Sequence, residues 1–181
     1  MWSSDKFGLL PRLAVVVLAA SLLGGCFRPL YGVSASGVSI QDQLAAIEVA
    51  TINPGSRDNA RLAYYTQTEL TYRMNGGSPE EVDKQFRLEV TVTESVASTI
   101  INTSTGNAEA ALLTGKAGFK LVPIGGGKAI YESQAIASSA YDRTPQRFAA
   151  LRAARDAQIR VSKALADQIH TRIAAKFASG R

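Results

Sequence analysis

Two side chains with reactive potential occur once each: Cys26 and His170. A thiol nucleophile needs a base beside it, and a structural zinc needs three or four Cys and His ligands. One of each, far apart in the chain, supplies neither. His170 lies late in a basic segment, with Asp167 one turn back as its neighbouring carboxylate. It reads as a solvated or packing histidine rather than a general base. Glu80, Glu81 and Asp83 form a short acidic run with too few oxygen ligands for a calcium loop. Gly125-Gly126-Gly127 precedes Lys128, but no helix follows to aim its amides at a phosphate, so it reads as a turn. Tyr64, Tyr65 and Tyr72 read as packing residues. Cys26 remains, as a residue to be modified. It ends an apolar run from Leu13 to Leu23, with Lys6 and Arg12 ahead and Gly24 and Gly25 just before it. A basic start, a short apolar centre and small residues at the end make an export signal. The apolar stretch falls short of the ~20 residues that a membrane-spanning helix needs.

Leu23-Gly24-Gly25-Cys26 resembles the lipobox of bacterial lipoproteins. That resemblance implies removal of residues 1–25 and a diacylglycerol on the Cys26 thiol. The plainer alternative is an ordinary signal peptide with a buried cysteine nearby. Each buried methylene of an acyl chain contributes about 0.8 kcal/mol, so a multiply acylated N-terminus holds firmly to a bilayer. Phe27 follows the cysteine where an Asp would, by analogy with enteric bacteria, retain a lipoprotein in the inner membrane. The expected location is therefore the periplasmic side of the outer membrane. An exported chain with one cysteine makes no internal disulfide, and its stability must come from packing.

Residues 26–45 carry Pro29, Gly32 and Gly37 among Ser and Gln, and read as a lipidated tether. Residues 46–181 are one domain's worth of chain. Ile47 to Ile52 alternates apolar and polar residues, which predicts a half-buried strand. Asp58 or Asn59 is placed to cap a helix over Ala60 to Met74, whose broad, partly aromatic face suits a sheet. Phe86 to Glu94 alternates most cleanly, with Phe86, Leu88, Val90 and Val92 on one side and Arg87, Glu89, Thr91 and Thr93 on the other. A polar loop over Asn102 to Asn107 precedes a strand over Ala110 to Val122, and Pro123 to Gly127 turns the chain into a strand over Ala129 to Tyr141. Thr144 and Pro145 suit the start of a long last helix ending near Phe177. Its stripe runs Leu151, Ala154, Gln158, Val161, Leu165, Ile169, Ile173 and Phe177. The economical assembly is a two-layer α+β sandwich, two helices packed on one face of a four-stranded mixed β-sheet.

Charge is unevenly placed. Residues 1–142 carry a net of −2, and residues 143–181 carry +7. The basic segment either meets an anionic surface or is a solvated helix face. Lys116, Lys120 and Lys128 lie on or beside the third and fourth strands, where they could meet lipid phosphates. The plainer reading is that they solubilise the sheet and discourage edge pairing. Nucleic acid is not expected as a partner of an exported lipoprotein, and no cofactor or metal is expected.

Cys26-Phe-Arg-Pro-Leu-Tyr-Gly32 resembles the start of mature lipopolysaccharide-assembly lipoproteins, the LptE family, especially those of alphaproteobacteria. The element order is similar, as is the last helix, where an aromatic precedes Ala-x-x-x-Ala-x-x-Asp-Ala over Ala150 to Ala157. The resemblance implies a non-enzymatic outer-membrane lipoprotein that plugs an LptD-like β-barrel, assists its assembly and delivers lipopolysaccharide to the surface. No family motif assigns lipid contacts to residues here, and the three lysines are put forward on charge and placement. A polar, wetted lumen asks of a plug a compact body with one polar sheet face. Two other classes stand beside this one. A lipoprotein that binds or senses lipid alone would need a deep apolar cavity, whereas the many alanines and modest alternating hydrophobicity point to a filled core. An anchored hydrolase would need a nucleophile and a base held together.

Overall fold

The computed structural model describes residues 39–76, 82–101 and 108–179, apart from the side chains of 99–101 and 108. The export signal, Cys26, Arg28, the tether up to residue 38, Glu80, Glu81 and the loop 102–107 lie outside the described residues. The elements run α1 (Ile40–Ala45), β1 (Ile47–Val49), α2 (Ala60–Met74), β2 (Phe86–Ile101), β3 (Ala108–Pro123), β4 (Tyr131–Asp142) and α3 (Arg147–Ser179). The sheet order is β1-β2-β3-β4. β1 pairs parallel with β2, and the other two pairings are antiparallel. The expected α+β sandwich with a four-stranded mixed sheet is therefore present, with three helices among the described residues where two were expected.

The third helix comes from the stretch read as tether. Ser39 caps α1 by accepting from the Asp42 amide at 3.0 Å, and Ile40 and Leu44 are fully buried. Two apolar residues four apart on one short turn gave no sequence periodicity to distinguish them from linker. They are held because α1 packs against β1, α2 and α3 together.

Alternation puts Leu88, Val90 and Val92 of β2 under the helices, beside Ala117, Phe119 and Leu121 of β3. α2 lies over β1 and β2, and α3 over β3 and β4. The long α3 stripe is buried from Ala157 to Ala174, with Val161, Leu165, Ile169 and Ile173 against the sheet. Close packing depends on Gly115: a Cβ there would lie 2.6 Å from Val161 Cγ1 and 3.1 Å from both Leu165 Cδ1 and Leu62 Cδ2. The helix–sheet interior is thus filled at the point where both helices approach β3.

Two local expectations change. Asn59 occupies the N-cap of α2 without a side-chain cap bond. Its amide group instead accepts from the Glu94 amide at 2.9 Å and donates to the Pro54 carbonyl at 3.0 Å, tying helix, loop and sheet together. α3 begins at Arg147, and Thr144 donates its hydroxyl to the Gln146 carbonyl rather than capping a helix amide.

Candidate functional site: the open sheet face and the two edges

The helices cover one face of the sheet, and the other face is bare among the described residues. Arg87, Glu89, Thr91 and Thr93 all point to it and are exposed, as their alternation predicts. Register places Glu89 opposite Lys120, which is opposite Glu132, and Thr93 opposite Lys116, which is opposite Ile136. Lys116 and Lys120 therefore share this face, four residues apart on β3 with Gly118 between them. Lys120 pairs with Glu132 at 3.2 Å, with both side chains more than half exposed, so the pair contributes little to stability. Lys128 sits apart, in the turn between β3 and β4. The structure thus brings two of the three lysines together and leaves the third at the end of the sheet.

Gly118 leaves the floor of this face open, because nothing lies within 4 Å of where its Cβ would be. A shallow depression of about 360 Å³ forms there, lined by Thr91, Lys120, Glu132 and Gln134 among others. A second, about 480 Å³, lies beside β1, with Glu48 and Arg87 paired at 3.3 Å on its wall. Both are polar and open to solvent. Neither is the deep apolar cavity that a lone lipid carrier needs.

The helices bury three polar residues among the described residues, Thr66, Gln158 and Ser162, and Gln158 is the one that reaches the sheet. Gln158 falls on the apolar stripe of α3 and is 8% exposed. It donates through Nε2 to both carboxylate oxygens of Glu94, at 3.0 and 2.9 Å, while its Oε1 has no partner among the described residues. Burial pushes the Glu94 carboxyl above its ordinary range, against the opposing pull of Gln158 and Arg61. Burial lowers His170, Arg73 lowers it further, and Asp167 partly offsets them. Both groups sit in structural surroundings, and no metal-binding cluster of three acidic, His or Cys side chains occurs among the described residues. No helix among the described residues is long and apolar enough to cross a membrane.

The two long edges of the sheet are treated differently. Arg143 N–H donates to the Glu109 carbonyl, which sets the β3–β4 ladder so that odd-numbered residues of β4 face β3. The amides and carbonyls of even-numbered residues then face the free edge. α3 reaches over that edge with long side chains. Arg160 donates to the Ala140 carbonyl at 3.0 Å, Gln168 to Ile136 at 2.9 Å, and Arg172 to Gln134. On the opposite side, Ile124 N–H donates to the Gln85 carbonyl, so odd residues of β2 face β3 and even ones face outward. Of those outward groups, Phe86 and Leu88 are met by β1 and the residues flanking it, and the Glu94 amide by Asn59. Beyond Glu94 none of the described residues pairs with the edge.

This topology has relatives. A family model, LptE: Lipopolysaccharide-assembly, matches residues 44–173, most of the chain. The chain belongs to the LptE family. LptE lipoproteins are non-catalytic, sit at the outer membrane and take part in lipopolysaccharide transport and assembly with the outer-membrane translocon. A signal peptide and palmitate are typical of such lipoproteins. Among solved structures, one described as a lipoprotein of Caulobacter crescentus CB15 aligns at a TM-score of 0.61 and 18% identity, covering 78% of this chain and 97% of that one. A minor lipoprotein of Acinetobacter baumannii aligns at 0.48 and 16% identity, covering 72% and 90%. The rare lipoprotein B of Shewanella oneidensis aligns at 0.40 and 18%, covering 74% and 94%. The Caulobacter likeness bears on the fold alone. No curated protein sequence matches the chain.

The open polar face was legible from the strand alternation. The Glu94–Gln158 bond and the unequal edges were not. A glutamine in an apolar stripe was the one signal that could have pointed to a polar partner on the sheet.

Proposed function

We propose that this LptE-family chain is held at the outer membrane by lipid on Cys26 and plugs an LptD-like β-barrel. There it assists barrel assembly and helps deliver lipopolysaccharide to the outer leaflet. Family membership over residues 44–173 carries the reading. A filled interior and a polar, uncovered sheet face support it, because a lumen wall is polar and wetted. In this reading Lys116 and Lys120 present two ammonium groups on one face to lipid phosphates, with Lys128 adding a third at the end of the sheet.

The test is purification of the tagged full-length protein from detergent-solubilised envelopes, with mass spectrometry of what comes with it. One dominant large β-barrel at equal stoichiometry is the expected result. Recovery without any barrel, or a mature chain with an unmodified thiol free in the periplasm, defeats the proposal. Replacing the three lysines by alanine should weaken lipopolysaccharide binding while leaving barrel recovery intact. Unchanged binding would remove the lysines from the account without touching the plug.

A further inference from the structure

The bare stretch of β2 above Glu94 coincides with a gap in the helix layer. β2 runs from Phe86 towards Ile101, and α3 runs back over the sheet in the opposite sense, with Gln158 level with Glu94. α2 starts at Ala60, and Asn59 just before it bonds to the Glu94 amide. Above that level α3 alone covers the sheet among the described residues. Alternation turns Val96 towards the helix layer, yet it is 44% exposed. Leu151 continues the buried stripe of α3 by helical spacing, yet it is 58% exposed, and Phe148 is 83% exposed. An apolar notch therefore adjoins a strand edge whose outward amides and carbonyls, at Val96 and Ser98, are unpaired among the described residues.

We propose that the β2 edge from Glu94 to Ser98 is a strand-addition site for an extended segment of a partner protein, apolar at alternate positions and acidic at its ends. The backbone groups at Val96 and Ser98 recur at strand spacing and call for amide partners in the same rhythm. A lipid does not repeat donors and acceptors at strand spacing. Alternate side chains of an added strand would project into the notch beside Val96 and Leu151. The rim carries a net positive charge that favours acid on the incoming segment: Arg57 and Arg61 flank a single Asp58 at the start of α2, and Arg147 to Arg155 contains three arginines and no acid. A second copy of this chain, paired through a two-fold axis, would set one arginine-rich rim against another. The β4 edge is excluded as the docking place, because α3 already occupies its carbonyls at Gln134, Ile136 and Ala140. Ser95, Val96, Ala97 and Ser98 carry neither charge nor proline to repel a visitor.

The proposal stands apart from the barrel reading. The probe is a synthetic peptide of alternating valine and threonine with two acidic residues at each end, added to the full mature chain. Amide hydrogen exchange at Val96 and Ser98 should slow by roughly tenfold or more at saturation, while the outward amide of Ser138 on β4 stays unchanged. Val96→Pro removes one outward donor without touching the ladder to β3, and should weaken binding by about tenfold. If that variant folds poorly, Leu151→Asp, on an exposed side chain, should weaken the same acidic peptide while thermal unfolding is preserved. Absence of protection, or equal binding by both variants, overturns the proposal. Protection that rises with protein concentration and needs no peptide overturns it in favour of a second copy. Protection by phosphatidylglycerol vesicles and not by peptide overturns it in favour of lipid. A chain that protects these amides with peptide yet recovers no barrel would defeat the plug and leave this site standing.

Discussion

Up to the level of Glu94, two helices close over the sheet, and Leu62, Val161 and Leu165 meet around its register partner Gly115. Above it a single helix among the described residues carries its stripe past the end of that packing, so that Leu151 and Phe148 are left exposed. The same apolar periodicity thus ends in a core at one end and in a notch at the other. What differs is the length of the neighbour. α2 has 15 residues and α3 has 33, so the shorter helix runs out first. The edges follow the same division. β4 packs against α3 and has three of its outward carbonyls taken by Arg160, Gln168 and Arg172, whereas the upper part of β2 has no helix among the described residues to supply such arms. The strand edge that has no partner among the described residues, on a molecule that covers its other edge, is the one to which the proposed pairing is assigned.

The sharpest way to break this comparison is to truncate one leucine in each half. Leu165→Ala, in the closed half, should lower unfolding free energy in urea by about 2–5 kcal/mol. Leu151→Ala, in the open half, should change it by less than about 0.5 kcal/mol. Equal losses would mean that the notch is packed in solution. Gly115→Ala comes next. The added methyl meets Val161, Leu165 and Leu62 together, and overpacking of this kind costs about 1–3 kcal/mol.

Removing the guard is a smaller perturbation of stability with a different readout. The triple variant Arg160→Ala, Gln168→Ala, Arg172→Ala should lose only about 1 kcal/mol, since these side chains are largely at the surface. It should, however, form sheet-rich oligomers at concentrations where the parent stays monomeric by light scattering. A monomeric triple variant would show that the β4 edge needs no cover.

The smallest effect is the pH response of the bond that marks the boundary. Burial raises the Glu94 carboxyl in the folded state above its ordinary 4.5, so the folded chain binds a proton more tightly there than the unfolded chain. Its contribution to stability therefore falls as pH rises from 4.5 through the raised folded value, and is flat on either side. Glu94→Gln should flatten that part of the stability profile. His170 works with the opposite sign: its folded value lies below 6.5, so stability rises with pH up to about that point. A profile unchanged by Glu94→Gln would place the carboxylate in water rather than against Gln158.

Much of this architecture was readable in the chain. The bounds of α2 follow from its capping region and stripe, and β2 and the polar face opposite the helices follow from strict alternation at Phe86 to Glu94. Other features were hidden for definite reasons. α1 is too short to show a period, and its two buried residues are fixed by three elements distant in sequence. The sequence stripe of α3 includes Leu151 among core positions, because periodicity records which way a side chain points and not whether anything stands opposite it. The three lysines looked equivalent, yet register alone separates Lys116 and Lys120 on β3 from Lys128 in the turn.

By itself the sequence determined the element order, the apolar and polar sides of each element, the mixed four-stranded sheet and the resemblance to LptE proteins. These depend on local spacing and short-range geometry, which the residues carry directly. Only the tertiary structure decided where the helix layer stops, which strand edge is covered, and that Gln158 meets Glu94 across 64 positions of chain. Such relations depend on the relative lengths and registers of elements that meet only after folding.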